Sequence, residues 1–344
     1  MSGKLKTFLN FAVIFGTLAV VLLIGLNGKE IGSIAEALQS IELRWIVLCA
    51  LAYTAFVLLD SAALWSFVRR QGYRLSYGSS VFISAEGTYY SDITPGASGG
   101  QPMQVFLLKE RGIPIGVSSA ALTVKFFCFQ LMLQVIGTIL WFVNRGFVAE
   151  QLGPQMWILI IGYSYNFVCV GFVLLMALNR RLVGFFIERF IRIGTRLRIC
   201  KDPDASRERW QQHLATFHEG IMMLKDKPFE LIVQLLLAGA QIIVQNCITF
   251  FIYHAFHLEG VGLSCILTMG VIQFISAAYM PMPGASGAQE GVFAVYFSGI
   301  FPDDIRLMAL LLWRFFTYYA ALILGVVLSV GNGLLSRKKQ KMEE

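Results

Sequence analysis

Six stretches of this sequence (8–26, 45–67, 116–142, 157–178, 229–256 and 306–331) are apolar over about the length that a helix needs to cross a bilayer's hydrocarbon core. Backbone groups in hydrocarbon must satisfy one another, which leaves segments this long one regular structure, the α-helix. Only 14% of the residues are charged and 56% are hydrophobic, whereas soluble domains carry about 25% charge. A water-facing surface cannot be covered with so little charge. The expected fold class is therefore an all-α integral membrane protein. Residues 8–26 follow Lys4 and Lys6 and have too long an apolar core for a cleaved leader, so they read as a retained first span.

The net charge of +7 does not point to nucleic acid, because the positive residues flank apolar segments. Lys and Arg mark cytoplasmic loops. Lys4 and Lys6, the group Arg69, Arg70 and Arg74, the segment 179–227 and the tail Arg337, Lys338, Lys339 and Lys341 are expected inside. The loop 27–44 and the acids Asp303 and Asp304 are expected outside. Within 179–227, apolar Leu182, Phe185, Phe186, Phe190 and Ile193 alternate with arginines, the pattern of an interfacial amphipathic helix on anionic headgroups.

Two further apolar stretches, 77–108 and 261–300, are interrupted by nearly the same phrase, PGASGGQ at 95–101 and PGASGAQ at 283–289. If each crossed the membrane once, the basic segment 179–227 would fall outside. The charge rule is obeyed if each enters and returns on one side, as a re-entrant hairpin or a tight double crossing. The match extends beyond the phrase. FISA occurs at 82–85 and 274–277, and KFF at 125–127 answers RFF at 314–316. Pro95 lies 30 residues before Lys125, and Pro283 lies 31 before Arg314. The expected organisation is two inverted-topology repeats, 1–150 and 151–344, each helix, helix, hairpin, helix. Together they make about six full spans plus two hairpins. Inverted repeats with broken helices are the plan of alternating-access transporters, with a site near the midplane.

Ser98 with Gln101, and Ser286 with Gln289, have capping-box spacing. Each serine is expected to cap a helix that starts at a hairpin tip and points its positive end inward. Pro95 and Pro283 open the turns, and Gly96, Gly99, Gly100, Gly284 and Gly287 let an anion approach backbone N–H groups. Lys125 and Arg314 sit about 13 Å along their helices, near mid-membrane. A charge there costs about 2.5–3.5 kcal/mol. One reading is a shared phosphate clamp. The other is pairing with carboxylates such as Glu86, Asp92, Asp60 or Glu290. Gln234, Gln241 and Gln245 share a helix face that either lines a headgroup path or bonds between helices. Tyr89, Tyr90, Tyr279, Tyr318 and Tyr319 are candidate cavity neighbours.

The six cysteines and four histidines show no metal-ligand spacing. No cofactor is expected, and no nucleophile–base pair marks an enzyme.

The twin PGASG loops, the basic residue before a Phe pair and the helical span over 5–331 resemble the flippase-like transmembrane domain of the lysylphosphatidylglycerol synthases, also called the multiple peptide resistance factor family. The resemblance implies movement of lipid between leaflets around central re-entrant helices. The sequence ends at Glu344, soon after the last span, where the lysyl-transferring members continue into a soluble catalytic domain. Synthase activity is therefore not implied. The expected partners are anionic or phosphate-linked membrane lipids, with a second copy of the chain as a further candidate. The expected location is a bacterial or archaeal cytoplasmic membrane with both termini inside. A membrane-embedded lipid-modifying transferase and a lipid-binding scaffold are the competing functions.

Overall fold

The computed structural model describes residues 41–179, 181–185, 188–189, 203–277 and 282–343. The expected span 8–26, the loop 27–44 up to residue 40, Tyr279 and most of the amphipathic stretch after Asn179 lie outside the described residues. Within them the chain is helical throughout, and no strand occurs. This is an all-α integral membrane protein. Five helices are long and apolar enough to span a bilayer, and they coincide with the five remaining apolar stretches.

Helix α1 (Leu43–Arg70) is followed by α2 (Tyr77–Asp92), a tight turn at Pro95–Ala97 and α3 (Gly100–Glu110). Next come α4 (Ile115–Val143), the short α5 (Arg145–Leu152) and α6 (Met156–Leu178). After the linker helix α7 (Pro203–Asp226) the pattern repeats with α8 (Pro228–Ala255), α9 (Leu263–Ala277), a turn at Pro283–Ala285 and α10 (Ala288–Tyr296). The last span is divided into α11 (Arg306–Arg314), a π-helical turn over Phe315–Tyr319 and α12 (Ala320–Glu343).

Each interrupted stretch folds back on itself. In the first, α2 and α3 pack so closely that a β-carbon on Gly100 would overlap Ser91 Oγ and the Gly87 carbonyl. Gln104 Nε2 donates to the Ile83 carbonyl at 3.3 Å across the same seam. In the second, Gln273 Nε2 reaches Gln289 Oε1 at 3.3 Å, and Ser276 and Tyr296 share a hydroxyl bond of 2.8 Å. The arms have 16, 11, 15 and 9 residues. At 1.5 Å per residue they extend about 24, 16, 22 and 13 Å, short of the ~30 Å hydrocarbon core.

Three apolar clusters form among the described residues, one around each hairpin and a smaller one of Leu133, Ile242, Val271 and Ile275. Phe67, Leu64, Leu108, Val117 and Ala120 surround the first. Phe293, Phe297, Phe301, Trp313 and Tyr253 surround the second. Polar side chains connect neighbouring helices within the bundle. Gln130 Nε2 donates to Asn166 Oδ1 at 2.9 Å, and Asn166 Nδ2 donates to the Ile275 carbonyl at 3.2 Å, joining α4, α6 and α9. The outward face of α6 is apolar and open, with Phe167 77% and Val168 67% exposed. A surface of this kind fits contact with lipid or with another apolar protein face, not with water.

Candidate functional site

The two near-identical phrases meet, the Pro95–Ala97 turn lying against the Pro283–Ala285 turn. They share one backbone shape. Gly96 has φ 60° and ψ 27°, and Gly284 has φ 56° and ψ 21°. The following alanines, Ala97 and Ala285, also take positive φ, 54° and 48°. That region disfavours any residue with a β-carbon, and strain of this kind persists where the surroundings enforce it.

Beside the paired turns lies a cavity of about 460 Å³. Of the residues singled out in the sequence, Asp92, Gly96, Gly284, Gln289 and Arg314 line it. Arg314 is 4% exposed. Its Nε donates to Glu290 Oε1 at 2.5 Å and an Nη donates to the Gly284 carbonyl at 3.1 Å. The guanidinium also lies over the rings of Tyr318 and Trp313, 4.9 and 5.5 Å from their centroids. Two of its five N–H donors are thus accounted for by protein partners. On the other side of the cavity, Asp92 Oδ2 is buried with no hydrogen-bond partner among the described residues. The Asp92 backbone carbonyl accepts from Tyr318 Oη at 3.4 Å.

Lys125 is not among the lining residues. It pairs with Asp60 on α1 at 2.9 Å, and both side chains are 16% exposed. The next residue, Phe126, faces the cavity instead. The 30- and 31-residue spacings explain this. When Pro95 is matched to Pro283, Arg314 corresponds to Phe126, and one residue rotates a helical side chain by roughly 100°. The carboxylate-pairing alternative thus describes both bases in this structure.

The capping boxes are replaced by other caps. Gly99 N–H donates to Thr94 Oγ1 at 2.8 Å, so the cap comes from the residue before the phrase and not from Ser98. In the second copy, Gly287 N–H donates to Glu290 Oε2 at 2.6 Å, leaving neither Ser286 nor Gln289 as the cap. Gln101 turns away from the centre into a separate pocket of about 440 Å³ against Trp210 and Phe217 of α7. Gly100 serves helix packing, whereas Gly96 faces open space. Pro95 and Ser98 are exposed. Glu86 is 2% exposed and accepts from Ser329 Oγ at 2.6 Å, fastening α2 to α12.

The glutamines divide in the same way. Gln234 Nε2 donates to Glu230 Oε1 and to the Ala63 carbonyl, both at 2.9 Å, and is structural. Gln245 lines the cavity, as does Tyr318 among the tyrosines. Tyr53, Phe129 and Gln130 carry no motif, and Phe274 enters the sequence reading only as part of the FISA repeat, yet all four line the cavity. They come from α1, α4 and α9, and only the folded arrangement brings them together.

The sequence profile of the lysylphosphatidylglycerol synthase transmembrane region matches residues 8–325. The chain belongs to that family. A UPF0104 membrane protein of Archaeoglobus fulgidus is 24% identical over 310 residues, covering 86% of this chain and 89% of the relative. Membership places the chain among multi-pass proteins connected with membrane lipid, and the paired hairpin turns are where a buried arginine and a buried carboxylate oxygen meet at a cavity.

Proposed function

We propose that this protein moves a phosphate-bearing lipid between the leaflets of a prokaryotic cytoplasmic membrane, with both termini inside. The observation that carries the reading is the position of Arg314, a buried cation that lines a cavity where two broken-helix turns meet and that spends two of its five N–H donors on described residues. Irregular backbone at membrane depth is tolerated where protein buries it or a cavity hydrates it. In this reading the two hairpins are re-entrant, the halves are inverted repeats, and the cavity accepts a headgroup while the acyl chains remain in bilayer. The short hairpin arms support re-entry. The cargo is carried and not chemically altered.

The test is leaflet transfer in proteoliposomes, using a fluorescent short-chain phosphatidylglycerol and a membrane-impermeant quencher. The wild-type chain should make inner-leaflet probe accessible, and Arg314→Gln should slow this strongly while remaining folded. Wild-type vesicles that behave like empty ones would overturn the proposal and leave the scaffold reading in place.

A further inference from the structure

The charges at the centre do not balance. Arg314 contributes one positive charge, and Glu290 already answers it with a direct ion pair. Both Glu290 oxygens are engaged, one by Arg314 and the other by the Gly287 N–H. Asp92 then adds a second carboxylate, with Oδ2 buried and unpartnered. If it is ionised, the group Arg314, Glu290 and Asp92 carries a net charge of 1 − 2 = −1. An unbalanced charge in a low-dielectric interior is costly and is normally neutralised. The same negative charge would repel the anionic headgroup that Arg314 is placed to receive.

Among the described residues, the groups around Asp92 offer it no second cation. From α1, Tyr53 acts on it and Asp60 is held by Lys125. From α11 and the π turn come Arg314 and Tyr318. From α10 comes Glu290, behind Arg314, and on its own helix Glu86 is held by Ser329 of α12. The charged residues of α3, Lys109 and Glu110, stand at its far end. Among the described residues no group of three or more metal-ligating side chains occurs.

We infer that Asp92 is a proton site coupled to anion binding at Arg314, so that the cavity takes up one proton with each phosphodiester headgroup. The proton enters from water in the cavity and forms an O–H bond on the carboxylate, and it leaves by the same route when the anion departs. No other bond is made or broken. The neutral carboxyl removes the repulsion and supplies a donor to the phosphate beside Arg314. Transport in this scheme is proton-linked. The inference rests on the proposed lipid transport, and the experiment below separates the two.

The full-length protein in detergent is titrated with dioctanoylphosphatidylglycerol, whose phosphodiester keeps one charge over the range used, and in parallel with the water-soluble headgroup glycerophosphoglycerol. Affinity should weaken by up to about tenfold per pH unit where Asp92 releases its proton, the slope expected for one linked proton. Calorimetry in buffers of different ionisation heat should show uptake of about one proton per bound anion. Asp92→Asn should bind with no pH slope. Binding of both ligands assigns recognition to the headgroup, and binding of the lipid alone requires the chains; either result supports the inference when the proton is taken up. Failure of both ligands to bind at any pH overturns the anion site itself. Binding with no proton uptake, or with an unchanged slope in Asp92→Asn, overturns the proton site and leaves the anion site standing. Should Asp92→Asn fail to fold, the wild-type calorimetry decides alone.

Discussion

Arg314 and Glu290 hold each other across the start of α10, and the same carboxylate caps that helix through the Gly287 N–H. One acid therefore neutralises a cation in the membrane interior and fixes the geometry of the second turn. Removing one partner of a buried pair leaves the other uncompensated, at about 3–5 kcal/mol. Glu290→Gln should lower the melting temperature in detergent substantially. The double variant Glu290→Gln/Arg314→Gln should recover much of that loss and still fail to bind an anionic lipid. Recovery of stability and binding together would remove Arg314 from the site.

Lys125 and Asp60 form a comparable pair outside the cavity. Its expected signature is mutual. Lys125→Gln and Asp60→Asn should each destabilise, and the double variant should cost less than the sum, with a coupling of about 0.5–3 kcal/mol. Lipid transfer per folded molecule should change far less than in Arg314→Gln. A transfer defect of the same size as that of Arg314→Gln, in a stable Lys125→Gln protein, would return Lys125 to the headgroup path.

The caps can be separated by single substitutions. Thr94 Oγ1 accepts from Gly99 N–H and donates to the Tyr90 carbonyl at 2.6 Å, so Thr94→Ala should cost about 0.5–2 kcal/mol. Ser98 is exposed, and its replacement by alanine should change stability by less than about 0.5 kcal/mol. Chemical denaturation of the two variants side by side measures the contrast, and equal losses would restore Ser98 as the cap.

Gly100 tests the hairpin seam. A β-carbon there would overlap Ser91 Oγ and the Gly87 carbonyl, while one at Gly78 on the same hairpin meets open space. Gly100→Ala should destabilise by about 1–3 kcal/mol as an overpacked site. Gly78→Ala should be neutral or mildly stabilising, since alanine favours a helix. Thermal melts showing equal effects would mean that α2 and α3 are not held this closely.

Particular residues show what the sequence could and could not disclose. The spans were legible because bilayer thickness imposes their length whatever their neighbours. The meeting of the turns was legible because the chain spells them twice. Arg314 was legible as a costly charge, but the aim of Lys125 was not, since one residue of spacing decides which helix face it occupies. Thr94 was not legible as the cap, because its hydroxyl stands one residue before the repeated phrase and only the folded turn brings it to Gly99 N–H. Tyr53 and Phe129 carry no local signal, because cavity-facing and core-facing aromatics look alike until distant helices are brought together.

The orientation of the first hairpin can be tested most directly by labelling. Arg74 lies just before α2 and Lys109 in the last turn of α3, so the two residues bracket the hairpin. The arms lie against each other and each is shorter than the hydrocarbon core, which supports ends that emerge on one side. By the charge rule, the positive residues Arg69, Arg70, Arg74, Lys109 and Arg111 predict that this side is the cytoplasm. Single cysteines at Arg74 and Lys109, in a background lacking the native thiols, should both resist a membrane-impermeant maleimide in intact cells and react in inverted vesicles. A second pair of sites, at Glu259 and Asp303, brackets the other hairpin and should show the opposite pattern. Labelling of Lys109 from outside intact cells would make α2 and α3 a true crossing, place the basic segment 179–227 outside, and dissolve the inverted relation on which a two-sided path through the central cavity depends.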